Sequence, residues 1–137
     1  MNEPIREPFD DDGGDAACWA HLFEGIQGAD LATMAAATAV RGLAWRLTDA
    51  DLNANLLVFD AGQGIEAHVN QSVDVLIVCV AGSGSITIDG STIPLAAGRV
   101  VLIPKGSERS ILAESDRFAY LTVHRARGSL IPTAPRS

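Results

Sequence analysis

Cysteine, basic residues and long apolar runs are all scarce in this sequence of 137 residues. No apolar run reaches the roughly 18–20 residues that a membrane-spanning helix requires. The two cysteines, Cys18 and Cys79, lie far apart, and the absence of a Cys-x-x-Cys pair argues against a zinc finger. Because Cys79 lies inside an apolar stretch, we expect a buried free thiol there rather than a disulfide.

Basic residues are outnumbered by acidic ones, and the formal net charge is −7. Nucleic acids attract basic surfaces, so this balance argues against a nucleic-acid partner. Residues 1–15 contain six acids, a single base (Arg6) and little that could be buried. The N-terminus also lacks the basic start and apolar core of a signal peptide. We therefore expect a cytoplasmic protein without a membrane partner, in which residues 1–15 form an acidic disordered tail.

From residue 40 onward, short apolar segments alternate with glycine, proline and aspartate. About eight strands at near-regular spacing are predicted, which is typical of an all-β sandwich or barrel. Asp89-Gly90 is a strong hairpin-turn signal, and the run Val73–Val80 has the character of a strand buried on both faces. The predicted organisation has three parts after the acidic tail. These are a partly helical extension (16–39), the β-barrel (40–127) and a loose C-terminal tail (128–137).

The glycine and proline framework of this barrel resembles that of the cupins, small double-sheet jelly rolls of the RmlC-like type. Gly98, Pro104 and Gly106 are similar in spacing to the second cupin motif. The run Val80–Gly90 resembles the end of the first motif and the hairpin that follows it. The resemblance covers about residues 40–125. It implies a cupin-type double-stranded β-helix, whose central cavity carries the function.

The residues at the metal-ligand positions of this family depart from its pattern. Metal-binding cupins offer two histidines and a glutamate from the first motif and one histidine from the second. Here His68 stands at the first histidine position, and Asn70 and Arg109 stand at the second and the last. The glutamate position falls on Val75 or, with a one-residue bulge, on Asp74. Because asparagine is a weak metal ligand and arginine is a permanent cation, we expect no cofactor and no standard metal site.

A noncanonical metal site is the alternative, made by His68, Asp74 and His124. Two histidines and one carboxylate can bind a divalent transition metal. Side chains alternate between the two sides of the last strand, and His124 lies on the side away from an apolar group of residues. We interpret the side with the apolar group as the core-facing side. That apolar group consists of Ala119, Leu121 and Val123. This interpretation points His124 away from the cavity.

The remaining candidate residues suit an anionic ligand. His68, Asn70 and Arg109, with Asp74, would line one mouth of the barrel. Arginine offers a fixed charge and a fork geometry that suit a carboxylate or phosphate, and histidine exchanges a proton near neutral pH. We predict a cupin that binds a small, anionic metabolite without a metal. A purely structural alternative pairs Arg109 with Asp74 or Glu108.

Two enzymatic alternatives stay open. The first is an isomerase- or epimerase-like enzyme in which His68 is the general acid/base, with Asp74 or Tyr120 as its partner. The second is a metal-dependent, oxygenase-like cupin with the noncanonical site. The sequence does not distinguish these from a binding protein without chemistry.

The resemblance also implies a homodimer. Small cupins often pair by packing sheet faces or by exchanging an N-terminal strand. Leu43, Trp45 and Leu47 share one face of a predicted strand that precedes the barrel. They could form such an exchanged strand, or they could cover apolar surface within one chain.

Overall fold

The computed structural model describes residue 23 and residues 25–126. The expectations for residues 1–15, for most of the extension before residue 25 and for the tail at 128–137 lie outside this range. The described elements are α1 (Leu31–Ala37), β1 (Gly42–Leu47), β2 (Leu52–Phe59), β3 (Gly64–Val69), β4 (Val75–Ala81), β5 (Ser83–Ile88), β6 (Ser91–Ala96), β7 (Val100–Ile103), β8 (Glu108–Ala113) and β9 (Phe118–Arg125). Within residues 25–126 no helix has both the length and the apolar character needed to traverse a bilayer.

The strands form two antiparallel sheets. One sheet has five strands in the order β1-β2-β9-β4-β7, and the other has four in the order β3-β8-β5-β6. Most consecutive strands therefore belong to opposite sheets, which is the connectivity of a jelly roll. The predicted all-β, cupin-type architecture is confirmed.

The turn between β5 and β6 follows directly from the sequence. Asp89 and Gly90 both have positive φ angles, 48° and 89°, and Ile88 pairs with Ser91 across them. Two consecutive positive φ angles define the tight turn that matches the twist of a hairpin, and Asp-Gly is a favoured pair for it. The hairpin prediction is confirmed.

The main core lies between the two sheets. Its centre is aromatic: the Tyr120 ring lies 5.5 Å from that of Phe118 and 6.2 Å from that of Phe59, both in tilted orientations. Tilted aromatic pairs of this kind stabilise a core by about 0.5–1.5 kcal/mol beyond their buried area. Cys79 is a free, buried thiol in the same cluster, as predicted.

A second apolar cluster covers the other face of the five-stranded sheet. Ala35 of α1 packs there with Leu56 and Ala119, and Trp45 and Leu121 border the cluster. Strand β9 is therefore buried on both faces. The interpretation of the apolar side of β9 as the barrel interior is wrong. Ala119 and Leu121 lie on the side of the sheet that α1 covers.

The inward side of β9 is instead the side with mixed polarity. Phe118 and Tyr120 belong to the core between the sheets, and Thr122 lines the cavity described below. Arg117, just before the strand, instead anchors α1, which lies on the opposite face of the sheet. Its Nη1 donates hydrogen bonds to the carbonyl oxygens of Ala35 (3.1 Å) and Thr38 (2.8 Å).

Strand β4 is buried on its inner face but only partly on its outer face, so the expectation of burial on both faces holds only near its end, where Val80 packs against the second apolar cluster. Val75 and Ile77 face the core, whereas Leu76 is 37% exposed. Leu76 pairs with Leu102 of β7, and Val78 pairs with Val100. These outward-facing residues form an apolar surface that we call the β4–β7 strip, consisting of Leu76, Val78, Val100 and Leu102.

Candidate functional site

A cavity of about 190 Å³ lies between the two sheets. Its walls are mostly aliphatic, and its polar side chains are few and converge from both sheets. The lining residues are Leu57, Ile65, His68, Val75, Ile77, Ile103, Arg109, Ile111, Tyr120 and Thr122. An apolar concavity with a few convergent polar groups is the usual form of a small-molecule site.

A bulge in β3 brings His68 into this cavity. Ile65 pairs with Ile111 and His68 pairs with Arg109. Between these pairs β3 advances three residues while β8 advances only two, so β3 contains one additional residue. The additional residue allows Ile65 and His68 to face the same side, which simple alternation would forbid. His68 is exposed at the cavity mouth, and its Nδ1 lies 3.0 Å from the carbonyl oxygen of Glu66.

Arg109 is the one permanent charge among the lining residues. Its side chain is only 4% exposed, and its Nη1 donates one hydrogen bond to the carbonyl oxygen of Ser107 (3.2 Å). Burial lowers the pKa of the guanidinium, but arginine stays protonated in proteins. No described carboxylate forms an ion pair with it, so the structural pairing with Asp74 or Glu108 is not present among residues 25–126.

Tyr120 and Thr122 complete the polar lining. The Tyr120 side chain is 1% exposed, and burial raises the pKa of its phenol far above the ordinary value. Its hydroxyl forms no hydrogen bond with the described part of the chain. Thr122 Oγ1 accepts a hydrogen bond from Asn55 Nδ2 (3.2 Å), and Asn55 Oδ1 accepts one from Arg46 Nε (3.3 Å). Thr122 was not predicted from the sequence, because the opposite side of β9 is the more apolar one and was interpreted as the interior.

The structure brings His68 and Arg109 together but places Asn70 and Asp74 elsewhere. Asn70 Oδ1 accepts hydrogen bonds from the backbone N–H groups of Ser72 (2.8 Å) and Val73 (3.3 Å). Short polar side chains in loops commonly satisfy nearby backbone donors in this way. The side chain is therefore engaged in the loop between β3 and β4.

Asp74 is exposed, and its Oδ1 accepts a hydrogen bond from the backbone N–H of Lys105 (2.8 Å). It borders a separate depression of about 300 Å³ with Lys105 and Arg125. Val75, the other residue considered for the acidic position, is buried and lines the cavity. The position that carries a glutamate in metal-binding cupins is thus apolar in this cavity.

The donor set does not fit the metal site that the fold implies. The cavity lining holds one imidazole and neither a carboxylate nor a thiol. Within residue 23 and residues 25–126, no three histidine, cysteine, aspartate or glutamate side chains are grouped closely enough to hold an ion. His124 does not line the cavity, and its Nδ1 lies 2.9 Å from the carbonyl oxygen of Arg125. His68, Asp74 and His124 are therefore not assembled as a ligand set.

Comparisons with known proteins agree with this architecture. The cupin domain family model matches residues 55–124. No curated protein sequence matches the chain. Among solved structures, a cupin protein from Bacteroides fragilis is 27% identical with a TM-score of 0.57, over 72% of this chain and 87% of that chain.

Two further structures share the fold at lower identity. An RmlC-like cupin protein from Desulfovibrio desulfuricans is 22% identical with a TM-score of 0.55, over 64% of this chain and 89% of that chain. KdgF from Halomonas sp. is 17% identical with a TM-score of 0.60, over 69% of this chain and 89% of that chain. Because the family match extends over half of the sequence and coincides with the two-sheet jelly roll, this chain belongs to the cupin domain family.

Proposed function

We propose that this cupin binds a small anionic metabolite in the cavity between its sheets, without the family's standard metal site. The supporting observation is the state of Arg109, a buried guanidinium with one backbone hydrogen bond and no described carboxylate partner. An unpaired charge in an apolar environment is costly to the folded protein. An anionic ligand would compensate that charge, and the guanidinium fork suits carboxylate or phosphate oxygens.

Calorimetric titration of small carboxylates and phosphate esters tests this proposal. We expect Arg109→Met to weaken binding by about 30-fold or more, because loss of one partner of a buried charge pair costs about 2 kcal/mol or more. Arg99→Met is the matched control, since Arg99 is exposed and bonds the Pro94 carbonyl oxygen outside the cavity. Failure of every anion to bind, or equal binding by the Arg109 variant, would overturn the proposal.

A second candidate function is acid–base catalysis by His68. A carbonyl oxygen can only accept a hydrogen bond, so the contact with Glu66 assigns the proton of a neutral imidazole to Nδ1. Nε2 then carries a lone pair, and both His68 and its strand partner Arg109 line the cavity. This arrangement would allow His68 to remove a proton from the carbon beside a carboxylate that Arg109 holds.

Proton exchange in D2O, followed by NMR, tests this candidate. A bound carboxylate should exchange the hydrogen on its α-carbon, and His68→Phe should abolish the exchange. His124→Phe is the control, because His124 does not line the cavity. If no acid that binds exchanges its hydrogen, the protein is a binding protein without this chemistry.

We further propose that two copies associate through the β4–β7 strip. Strand β7 is the last strand of its sheet, and its outward residues Val100 and Leu102 are 57% and 55% exposed. An edge strand without charges is a template for pairing with a second copy of itself. Trp45 packs within its own chain, which favours this contact over an exchanged β1.

Sedimentation analysis distinguishes this dimer from a monomer. Leu102→Asp should produce monomers by placing a charge on the strip. Leu112→Asp should leave the dimer intact, because Leu112 is 47% exposed on the four-stranded sheet. A monomeric wild-type protein, or equal behaviour of the two variants, would contradict this interface.

A further inference from the structure

The charge of the cavity limits the charge of its ligand. Arg109 is the one permanent charge among the lining residues, and none of them is a carboxylate. A monoanion would balance this site. A dianion such as a phosphate monoester would leave one charge uncompensated among aliphatic walls, at a considerable energetic cost.

The hydrogen-bond donors of the cavity favour a carboxylate. Arg109 uses Nη1 for the Ser107 carbonyl oxygen, which leaves further N–H groups free. The Tyr120 hydroxyl forms no hydrogen bond with the described residues. Thr122 Oγ1 already accepts from Asn55, so its own hydrogen remains available to a ligand. Several donors therefore converge on one small volume, where carboxylate oxygens could accept from them.

His68 supplies the contrasting group, a nitrogen acceptor. Its Nδ1 is engaged by the Glu66 carbonyl oxygen, so Nε2 of the neutral ring is left to accept a hydrogen bond. His68 and Arg109 are directly paired across β3 and β8. Directly opposed residues have Cβ atoms about 4.5–5.5 Å apart. A ligand that satisfies both side chains carries a carboxylate and a hydrogen-bond donor within one small cavity.

The volume sets the length of the ligand. The cavity has a volume of about 190 Å³. This space is smaller than the roughly 300–1,000 Å³ of sites for drug-sized ligands. The walls beyond the polar groups are aliphatic, as Ile77, Ile103 and Ile111 illustrate. The ligand body is therefore a short hydrocarbon.

From these observations we infer that the cavity selects a short-chain α-hydroxy monocarboxylate, with the carboxylate on Arg109 and the hydroxyl donated to Nε2 of His68. This inference rests on the proposed function, since it specifies the anion that the cavity binds. Tyr120 and Thr122 donate to the carboxylate or the hydroxyl oxygen. The hydroxyl is the specificity determinant, because it donates to the His68 acceptor, which a ligand without a hydroxyl leaves to solvent at the cavity mouth.

Calorimetric titration with five probes tests the inference: the two enantiomers of lactate, propanoate, lactamide and ethyl phosphate. We expect one lactate enantiomer to bind at least about threefold more tightly than propanoate, because a hydrogen bond that replaces one to water contributes about 0.5–1.5 kcal/mol. Lactamide, which lacks the charge, and ethyl phosphate, which has excess charge at pH 8, should bind more weakly than lactate.

The His68→Phe variant identifies the source of the preference. The variant should bind lactate and propanoate with equal affinity, whereas His124→Phe should retain the wild-type ratio. Equal binding of lactate and propanoate by the wild-type protein, or tightest binding of ethyl phosphate, would overturn this inference and leave the proposed anion site intact. Binding of none of the anions by the wild-type protein would overturn both.

Discussion

Replacement of Arg109 by methionine should stabilise the ligand-free protein. The substitution removes one hydrogen bond to the Ser107 carbonyl oxygen, which contributes about 1.5–3 kcal/mol when the donor is charged. It also removes a guanidinium that is 4% exposed and has no described carboxylate partner. The penalty for burying such an ion is several kcal/mol, and even complete buried ion pairs can be replaced by apolar residues with a gain of about 1–4 kcal/mol. We therefore expect a net gain of about 1–2 kcal/mol.

Urea unfolding is the appropriate assay, because a shift of the midpoint at constant slope reports stability alone. A gain of this size would raise the melting temperature by about 4–8 °C per kcal/mol for a domain near 100 residues. Arg109→Lys, which retains a buried charge, should show no gain. The control Arg99→Met should stay within about 0.5 kcal/mol of the wild-type protein, as exposed substitutions usually do.

A decrease of more than about 1 kcal/mol in the unfolding free energy of Arg109→Met would refute this prediction, since Arg109 would then be structural. Ligand provides an internal check. An anion present at 100 times its dissociation constant should stabilise the wild-type protein by about 2.7 kcal/mol and the variant by much less. The two results together separate the cost of an unpaired charge from a general loss of packing.

Three further predictions concern ionisation, backbone space and metal content. Burial raises the pKa of Tyr120 in the folded state, so above about pH 10 the unfolded state releases the phenolic proton that the folded state keeps. The free energy of unfolding should therefore fall by about 1 kcal/mol per pH unit above that pH. Tyr120 is the single tyrosine, so ultraviolet titration reports it directly, and Tyr120→Phe should remove this part of the decline. Gly64→Ala should destabilise by about 3 kcal/mol or more in urea, because its Cβ would overlap the Ile111 carbonyl oxygen. Gly98→Ala should cost only about 1–2 kcal/mol, since the space is open and φ is +93°. Elemental mass spectrometry of tag-free protein should find no near-stoichiometric transition metal, and stoichiometric iron, manganese, nickel or zinc would contradict the ligand-set argument.

The fold was predictable because the residues that form its tight turns can be recognised from a few neighbouring positions in the sequence. Asp89-Gly90 adopts the positive φ angles of its hairpin, and Gly98 and Gly106 have φ of 93° and 87° in the turns before β7 and β8. Each of these positions constrains the chain within a few residues, so neighbouring sequence suffices to place it. Their order along the chain then specifies the jelly roll.

The site was predictable only in part, because side-chain direction depends on tertiary neighbours. Motif spacing led to His68 and Arg109, whose facing positions follow from the pairing of β3 and β8. Spacing alone could not show that backbone N–H groups of the loops hold Asn70 and Asp74. Nor could alternation along β9 decide which side faces the interior, since α1 buries the second side as well.

The additional residue in β3 makes the chemistry of the cavity tolerant of a one-residue change in chain length. Between Ile65 and His68 the chain advances three residues, whereas the facing stretch of β8 advances two. Deletion of one residue between Ile65 and His68 would leave them two positions apart, so regular alternation would keep both side chains on the cavity side. Strand β3 lies at the end of its sheet and is largely exposed, so such a change would leave most of the core in place. In this barrel, an edge strand could therefore shorten by one residue among descendants without removing the imidazole from the cavity.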